Sequence, residues 1–330
     1  MLAALGRRAG QALVTLWVTS AAVWAMLLTA PGDPARTVLA ARGVAEPNPA
    51  QIAATRVQLG LDQPVPARYW HWLTGAVHGD FGTSWQTGNP VMSDIGARLG
   101  ATARLTLVAM LISLGLALLL GLTAGAVPGG WLDRAVRAVT LVMVVTPGFL
   151  IGLFVLNVLV VRLDLGVVIA DGSWSTVGWP ALTLALGSAG YWARVLRASL
   201  LEARSASYLR VSAARGASAW RRLWVHVLPN AAGPFLTVAG LGAAGLLGGA
   251  PIAETVYSWP GVGKYAVQAI DARDLPVVVA YTMIAVVTYV VASLVVDLIV
   301  ASIDPRLRPA RARRRPADTA DTVDTVDTAA

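Results

Sequence analysis

The stretch LTLVAMLISLGLALLLGLTAGAV, Leu105–Val127, contains no charged side chain. At about 1.5 Å of rise per residue, a helix of that length crosses the roughly 30 Å hydrocarbon core of a bilayer. Five further uncharged stretches repeat the pattern: Gln11–Ala30, Ala138–Val161, Ser175–Ala193, Pro229–Ala253 and Leu275–Val296. In hydrocarbon every backbone polar group must find its partner inside its own segment, so these stretches are expected to be helices. The chain thus reads as an all-α polytopic membrane protein with six transmembrane helices. Its composition agrees, with 56% hydrophobic and only 13% charged residues in 330 and a mean hydropathy of +0.64. A soluble domain of that size needs a more polar surface. The fourth stretch is the most interrupted, at Pro180, Gly187 and Gly190.

Charge sets the orientation. Seventeen of the 26 basic residues lie in the segments at Arg7–Arg8, Arg134–Arg137, Arg194–Arg222 and Arg306–Arg315. With the N-terminus inside, all of these segments are cytoplasmic. The two short outer loops then hold only Arg162, Lys264 and Arg273. That asymmetry predicts that both termini face the cytoplasm. The net charge of +8 is therefore an orientation signal, and nucleic acid is not an expected partner, since its binding needs a basic face on a soluble surface. The absence of cysteine excludes disulfides and thiolate chemistry. Arg7-Arg8 precedes an apolar run longer than that of a secretory signal, and five more runs follow, so the first helix is expected to stay uncleaved.

Composition divides the chain into a first helix (1–30), an external segment (31–101), a five-helix core (102–304) and a tail (305–330). Pro31-Gly32-Asp33-Pro34 stops the first helix. In the external segment, Pro49–Leu61 is periodic, and Tyr69-Trp70-His71-Trp72 and Trp85 suit a water–lipid interface. Two or three short helices on the outer membrane face are expected there. The last outer loop, Glu254–Lys264, has the Pro-Gly turn and spaced glycines of ordered structure. In the tail a basic run touches anionic lipid, and an Asp-Thr repeat has too little apolar area to order itself.

One polar segment interrupts the core. Tyr208–Pro229 reads YLRVSAARGASAWRRLWVHVLP and lies between the fourth and fifth spans, in a loop running over 203–228. Tyr208–Gly216 is helix-permissive; Ala213 and Ala214 offer a small-residue face, and Gly216 can end the helix in the left-handed conformation. Trp220–Val227 forms a second amphipathic stretch that returns the chain to the bilayer. A basic surface loop anchored by Trp220 and Trp224 is one interpretation. A knob that enters a groove on another subunit is the other.

The spacing of this segment resembles the cytoplasmic signature of ABC importer permeases: Glu-Ala-Ala, three residues, Gly, nine residues, an aliphatic residue, one residue, Leu-Pro. Aligned on Gly216, the Leu-Pro pair falls on Leu228 and Pro229, His226 takes the aliphatic position, and Arg210 takes that of the glutamate. That departure, with Tyr208-Leu209-Arg210, is similar to the dipeptide/oligopeptide/nickel branch. Pro31-Gly32-Asp33-Pro34, Leu59–Pro64, Gly79–Ser84, Arg197–Glu202, Glu254–Gly263 and Asp304-Pro305-Arg306 resemble, in order, that branch's B-type permease subunit. Val127-Pro128-Gly129-Gly130 departs from it by lacking basic residues. The resemblance implies that Tyr208, Arg210, Ala213, Ala214, Arg215, Gly216, Ala217, Leu228 and Pro229 couple to an ATPase. It implies a homologous second permease, two cytoplasmic ATPase subunits that bind ATP and Mg, and an external solute-binding protein in which specificity largely resides. Import of dipeptides or short oligopeptides is the expected function, with nickel, a metal chelate or glutathione as alternatives.

The remaining polar residues are sparse. No glycine-rich loop ending in Gly-Lys-Ser/Thr is present, so no nucleotide or other cofactor is expected on this chain. His71, His78 and His226 do not form a metal set, being divided between the two sides. No clustered catalytic constellation occurs, so the chain is not expected to be an enzyme. Asp297, close to the inner end of the last span, fits helix packing better than a proton relay; an ion-coupled secondary transporter would need an acid near the midplane. The fifth span is rich in glycine. Gly240, Gly245, Gly248 and Gly249, with Asn157 of the third span, are candidates for a translocation path, close helix packing being the alternative.

Overall fold

The computed structural model describes residues 2–29 and 32–303. Among them the structure is helical, apart from turns and one isolated antiparallel bridge between Thr83 and Pro90. Helix α1 (Leu2–Thr29) leads into three short helices, α2 (Pro34–Ala41), α3 (Pro49–Gln58) and α4 (Val65–Val77). Proline opens α2 and α3, where its missing N–H costs nothing. Asp33 caps α2 by accepting from Ala35 N at 3.0 Å, and Asn48 with Gln51 closes a reciprocal box on α3. An aromatic group ties these helices to the bundle, with Tyr69, Trp72 and Trp85 packed on Trp24 of α1 and on Leu275 and Val279 of the last helix.

The centre of the molecule is a pair of long helices, α5 (Val91–Ala126) and α8 (Gly178–Ser205), which form the most extensive helix pairing. Ile95, Thr102, Leu105, Ala109, Ser113, Ala117, Gly121 and Ala124 line the buried face of α5 at helical spacing. From Leu105 onward they meet Ala181, Ala185, Ala189, Ala193, Leu196 and Leu200 of α8. Small residues bring the backbones close enough that Ser113 Oγ donates to Ala185 O at 3.2 Å. At Gly121 a Cβ would stand 2.8 Å from Leu196. The expected boundary between residues 101 and 102 thus falls inside one continuous helix. Pro90 sets its start, and Val91 and Ile95 bury against Val262 and Tyr265.

The third apolar stretch is not one straight span. Helix α6 (Trp131–Val145) ends at Thr146-Pro147, and α7 (Gly148–Val155) leaves at 105° before relaxing into a π-helical turn, Leu156–Arg162. Pro147 has no N–H to continue the ladder, and the residue before a proline is pushed to extended backbone. Thr146 obliges with ψ 124°. Three helical stretches of the described residues are long and apolar enough to cross a bilayer: Val91–Ala126, Ala219–Val256 and Leu275–Val295. The bent pair is a fourth if it counts as one span, and α1 carries a shorter apolar helix, Gly10–Met26. Helix α8 is long enough but less apolar, since it is covered mainly by protein.

After α8 come α9 (Ser207–Ala214), α10 (Ala219–Arg222), a second π-helical turn (Leu223–Val227), α11 (Leu228–Val256), α12 (Val262–Asp271) and α13 (Leu275–Ile303). The stretch expected to return the chain to the bilayer is therefore continuous with the fifth span. The π turn widens the ladder just before Pro229 and so accommodates its missing donor. The tail expected to be disordered, 305–330, lies outside the described residues, as does the side chain of Asp297.

Candidate functional site

The loop between α8 and α11 is a short helical tip on a rigid stem. Leu209 is buried with Leu196, Leu200, Val227 and Ala231, so the tip is anchored in the bundle core. Tyr208 accepts from Asn230 Nδ2 at 3.1 Å and packs edge-on to His226, which clips the start of α9 to the start of α11. Arg204 donates to Ala126 O at 3.0 Å, satisfying a carbonyl that α5 leaves free at its end.

At the tip, Arg215 N and Gly216 N close on Val211 O and Ala213 O, and Ala217 N reaches Ser212 O. Gly216 stands at φ +82° just past α9, with open space around it. Ser218 then caps α10 through Arg221 N. Arg210, Ala214, Arg215, Gly216 and Pro229 are exposed, as is the Tyr208 ring, while Ala213, Ala217 and Leu228 are half-buried. Ala213 and Ala214 therefore do not share one outward face. A helix turns about 100° per residue, and Ala213 points toward the stem.

Beneath the tip, the first turn of α6 is locked to α8. Asp133 is 1% exposed and receives Arg197 Nε and Nη2 at 2.6 and 2.9 Å, with Gly129 N at 2.9 Å. This bidentate pair couples α8, just before the loop, to the helix that carries the break at Pro147.

A cleft of about 400 Å³ opens at that break. Thr146, Pro147, Thr183, Ser188, Gly245 and Gly249 are among its walls, so α6, α7, α8 and α11 all contribute. Of the glycines predicted for a path, Gly245 and Gly249 line this cleft. Gly248 is exposed on another side, Gly240 is half-buried away from the cleft, and Asn157 is exposed on the first π turn. The contribution of Thr146-Pro147 and of Gly187-Ser188 was missed in the sequence. The proline inside an apolar run was its available signal.

At the far end of α11 the loop Glu254–Lys264 is a closed device. Glu254 is fully buried; it accepts from Thr102 Oγ1 at 2.6 Å and Lys264 N at 2.8 Å. A Cβ on Gly261 would collide with that carboxylate, and one on Gly263 would collide first with Pro251 and then with the carboxylate, which explains both glycines. Trp259 Nε1 donates to Ala101 O at 3.0 Å, and Tyr257 shares a 2.9 Å hydrogen bond with Thr183 at the cleft. Asp274 likewise collects Ser84 Oγ and the N–H groups of Trp85 and Gln86. Both buried carboxylates are held by donors within the chain and brace helices; neither faces the cleft. Among the described residues no three His, Asp or Glu side chains gather as a metal set.

Known proteins are similar to this chain in sequence and in fold. Residues 117–309 match the family described as binding-protein-dependent transport system inner membrane component, and residues 1–106 match that system's N-terminal membrane component. The glutathione transport system permease protein GsiC of Shigella flexneri serotype 5b is 34% identical over 294 residues, covering 89% of this chain and 95% of that protein. Its namesake from Escherichia coli strain K12 is 33% identical over the same length. In fold, the chain is similar to the methionine ABC transporter MetNI in an inward-facing form, with a TM-score of 0.55 at 19% identity over 64% of this chain and 97% of that one. It is also similar to an amino acid ABC transporter solved with histidines, with a TM-score of 0.52 at 18% identity over 64% and 94%. With the family model matched along the helical core and a relative matched along nearly its whole length, the chain belongs to the binding-protein-dependent inner membrane components: it is a membrane permease subunit of an ABC importer.

Proposed function

We propose that this permease supplies half of a translocation path for short peptides and that α9 is the lever by which cytoplasmic ATPases move it. The observation that carries this reading is mechanical. The exposed Ala214–Gly216 tip sets two small residues, Ala214 and Gly216, either side of Arg215, so that another subunit can approach its backbone closely at those two positions. Its stem is fixed to α8 and α11 by Leu209, Tyr208 and Asn230. A push on the tip therefore reaches the two helices that wall the cleft, and the Arg197–Asp133 pair carries it on to α6. ATP and Mg belong to the partner ATPases. A homologous second permease closes the open side of the cleft, and an external binding protein delivers the solute. Both termini lie in the cytoplasm of a six-span chain in the inner membrane.

Substrate chemistry follows from the cleft walls. Their polar side chains are hydroxyls, Thr146, Thr183 and Ser188, set among glycine and aliphatic groups without a charge. Such walls hydrogen-bond a peptide group without holding it tightly, which suits passage rather than storage. Dipeptides and short oligopeptides fit this class. So does glutathione, itself a small peptide, for which the relatives are named. The test is uptake of labelled dipeptide and labelled glutathione into vesicles holding the assembled complex. ATP-dependent accumulation of either, with competition by the other, is expected. Accumulation driven by a proton gradient without ATP would overturn the assignment.

A further inference from the structure

We propose that the pocket enclosed by the end of α5, α8, α9 and α10 binds the phosphate headgroup of an anionic phospholipid. The pocket has a volume of about 450 Å³. Its lining is divided in character. Leu209, Leu223 and Val227 are apolar, whereas Arg204, Arg210 and Arg222 add three basic residues to the wall. Among the described residues none of the three pairs with a carboxylate. Arg204 spends one N–H on Ala126 O, and the side chains of Arg210 and Arg222 have no hydrogen-bond acceptor among the described residues. No Asp or Glu occurs in the sequence between Glu202 and Glu254, so the positive potential is not neutralised along this stretch.

Position identifies the ligand. Ala126, on the pocket wall, ends the uncharged stretch of α5, so the pocket lies where hydrocarbon gives way to headgroups. Exposed tryptophans flank the pocket in sequence: Trp131 begins α6 just beyond that end and is 75% exposed, and Trp220 and Trp224, with ring centroids 5.2 Å apart, follow Ala219 and Leu223 on the adjoining helix face. A phosphate ester satisfies several arginine donors at once, and its acyl chains would continue along the apolar wall. The inference rests on α5 being a membrane span, and it shares Arg210 and Ala213 with the helix proposed to meet the ATPase, so it is made of the permease apart from its ATPases.

The test offers the purified full-length chain phosphatidylglycerol, phosphatidylcholine or inorganic phosphate and counts retained ligands by native mass spectrometry. Preferential retention of phosphatidylglycerol is expected, falling about fivefold in Arg222→Gln, the loss of one cationic contact near a bilayer surface. Ala219→Glu, which puts a carboxylate on the wall without removing an arginine, should lower retention as well. Arg221→Gln, whose residue is absent from the wall, should leave it unchanged. Displacement of the lipid by millimolar inorganic phosphate would show a site for soluble phosphate and overturn the lipid assignment. Equal retention of the two lipids, or unchanged retention in both pocket variants, would overturn the site.

Discussion

Gly216 shows how one residue holds the helical tip between α8 and α11 in shape. Its φ of +82° lies in the left-handed region, which costs an ordinary L-residue about 1–2 kcal/mol and a β-branched one more. Space is not the constraint, since nothing lies within 4 Å of a Cβ built there. Gly216→Val should therefore reach the membrane at normal levels yet lose most ATP-dependent uptake, whereas Gly216→Asn should keep most of it. Equal uptake by both variants would separate the tip's backbone from transport. Arg197 answers to a different principle. Removing one partner of a buried ion pair costs about 3 kcal/mol or more where the other charge is left poorly compensated. Without Arg197 the buried Asp133 keeps only the distant cation of Arg137, at 3.8 Å on a side chain 53% exposed. Arg197→Met should lower the unfolding midpoint of the purified permease markedly, and adding Asp133→Leu should restore much of it. If the double variant is as unstable as the single one, the pair is not what the lost stability reflects.

At the scale of elements, α11 carries glycines with two different jobs. A Cβ on Gly242 would stand 2.5 Å from the Trp192 ring, while one on Gly245 meets nothing within 4 Å and faces the cleft. Gly242→Ala should thus destabilise the α8–α11 packing by about 1–3 kcal/mol through overpacking. Gly245→Trp should fold normally but cut uptake at least about tenfold by filling the path. A thermal melt and an uptake assay on both variants separate the two roles, and a reversed pattern would contradict them. In sequence these glycines look alike, because period and composition do not say which face meets a neighbour. Other elements were legible: uncharged length gave the long helices α5 and α13, and the helix-permissive stretch Tyr208–Gly216 is a helix over Ser207–Ala214 with Gly216 in the left-handed conformation just past it. The 105° break was less so, since hydropathy averages across Pro147. The start of α5 at Val91 was hidden because its first turns bury against protein rather than lipid.

For the whole molecule, the family and its membrane role were readable because they rest on blocks of composition and on motifs local in sequence. The site's architecture was less readable because it is made by contacts distant in sequence. Asp133 meets Arg197, Thr102 meets Glu254, and the cleft gathers four helices. The arginine distribution and the exposed α9 tip make one joint claim, that residues 207–218 face the cytoplasm and touch an ATPase. The cysteine-free sequence gives that claim a clean probe, since Ala214→Cys introduces a single thiol at an exposed position. In cells expressing the complete complex, that thiol should resist a membrane-impermeant maleimide added outside, react with it in inside-out vesicles, and cross-link to the ATPase subunit through a short bifunctional reagent. Labelling from outside intact cells, or no ATPase adduct in a complex that transports, would contradict the coupling assignment.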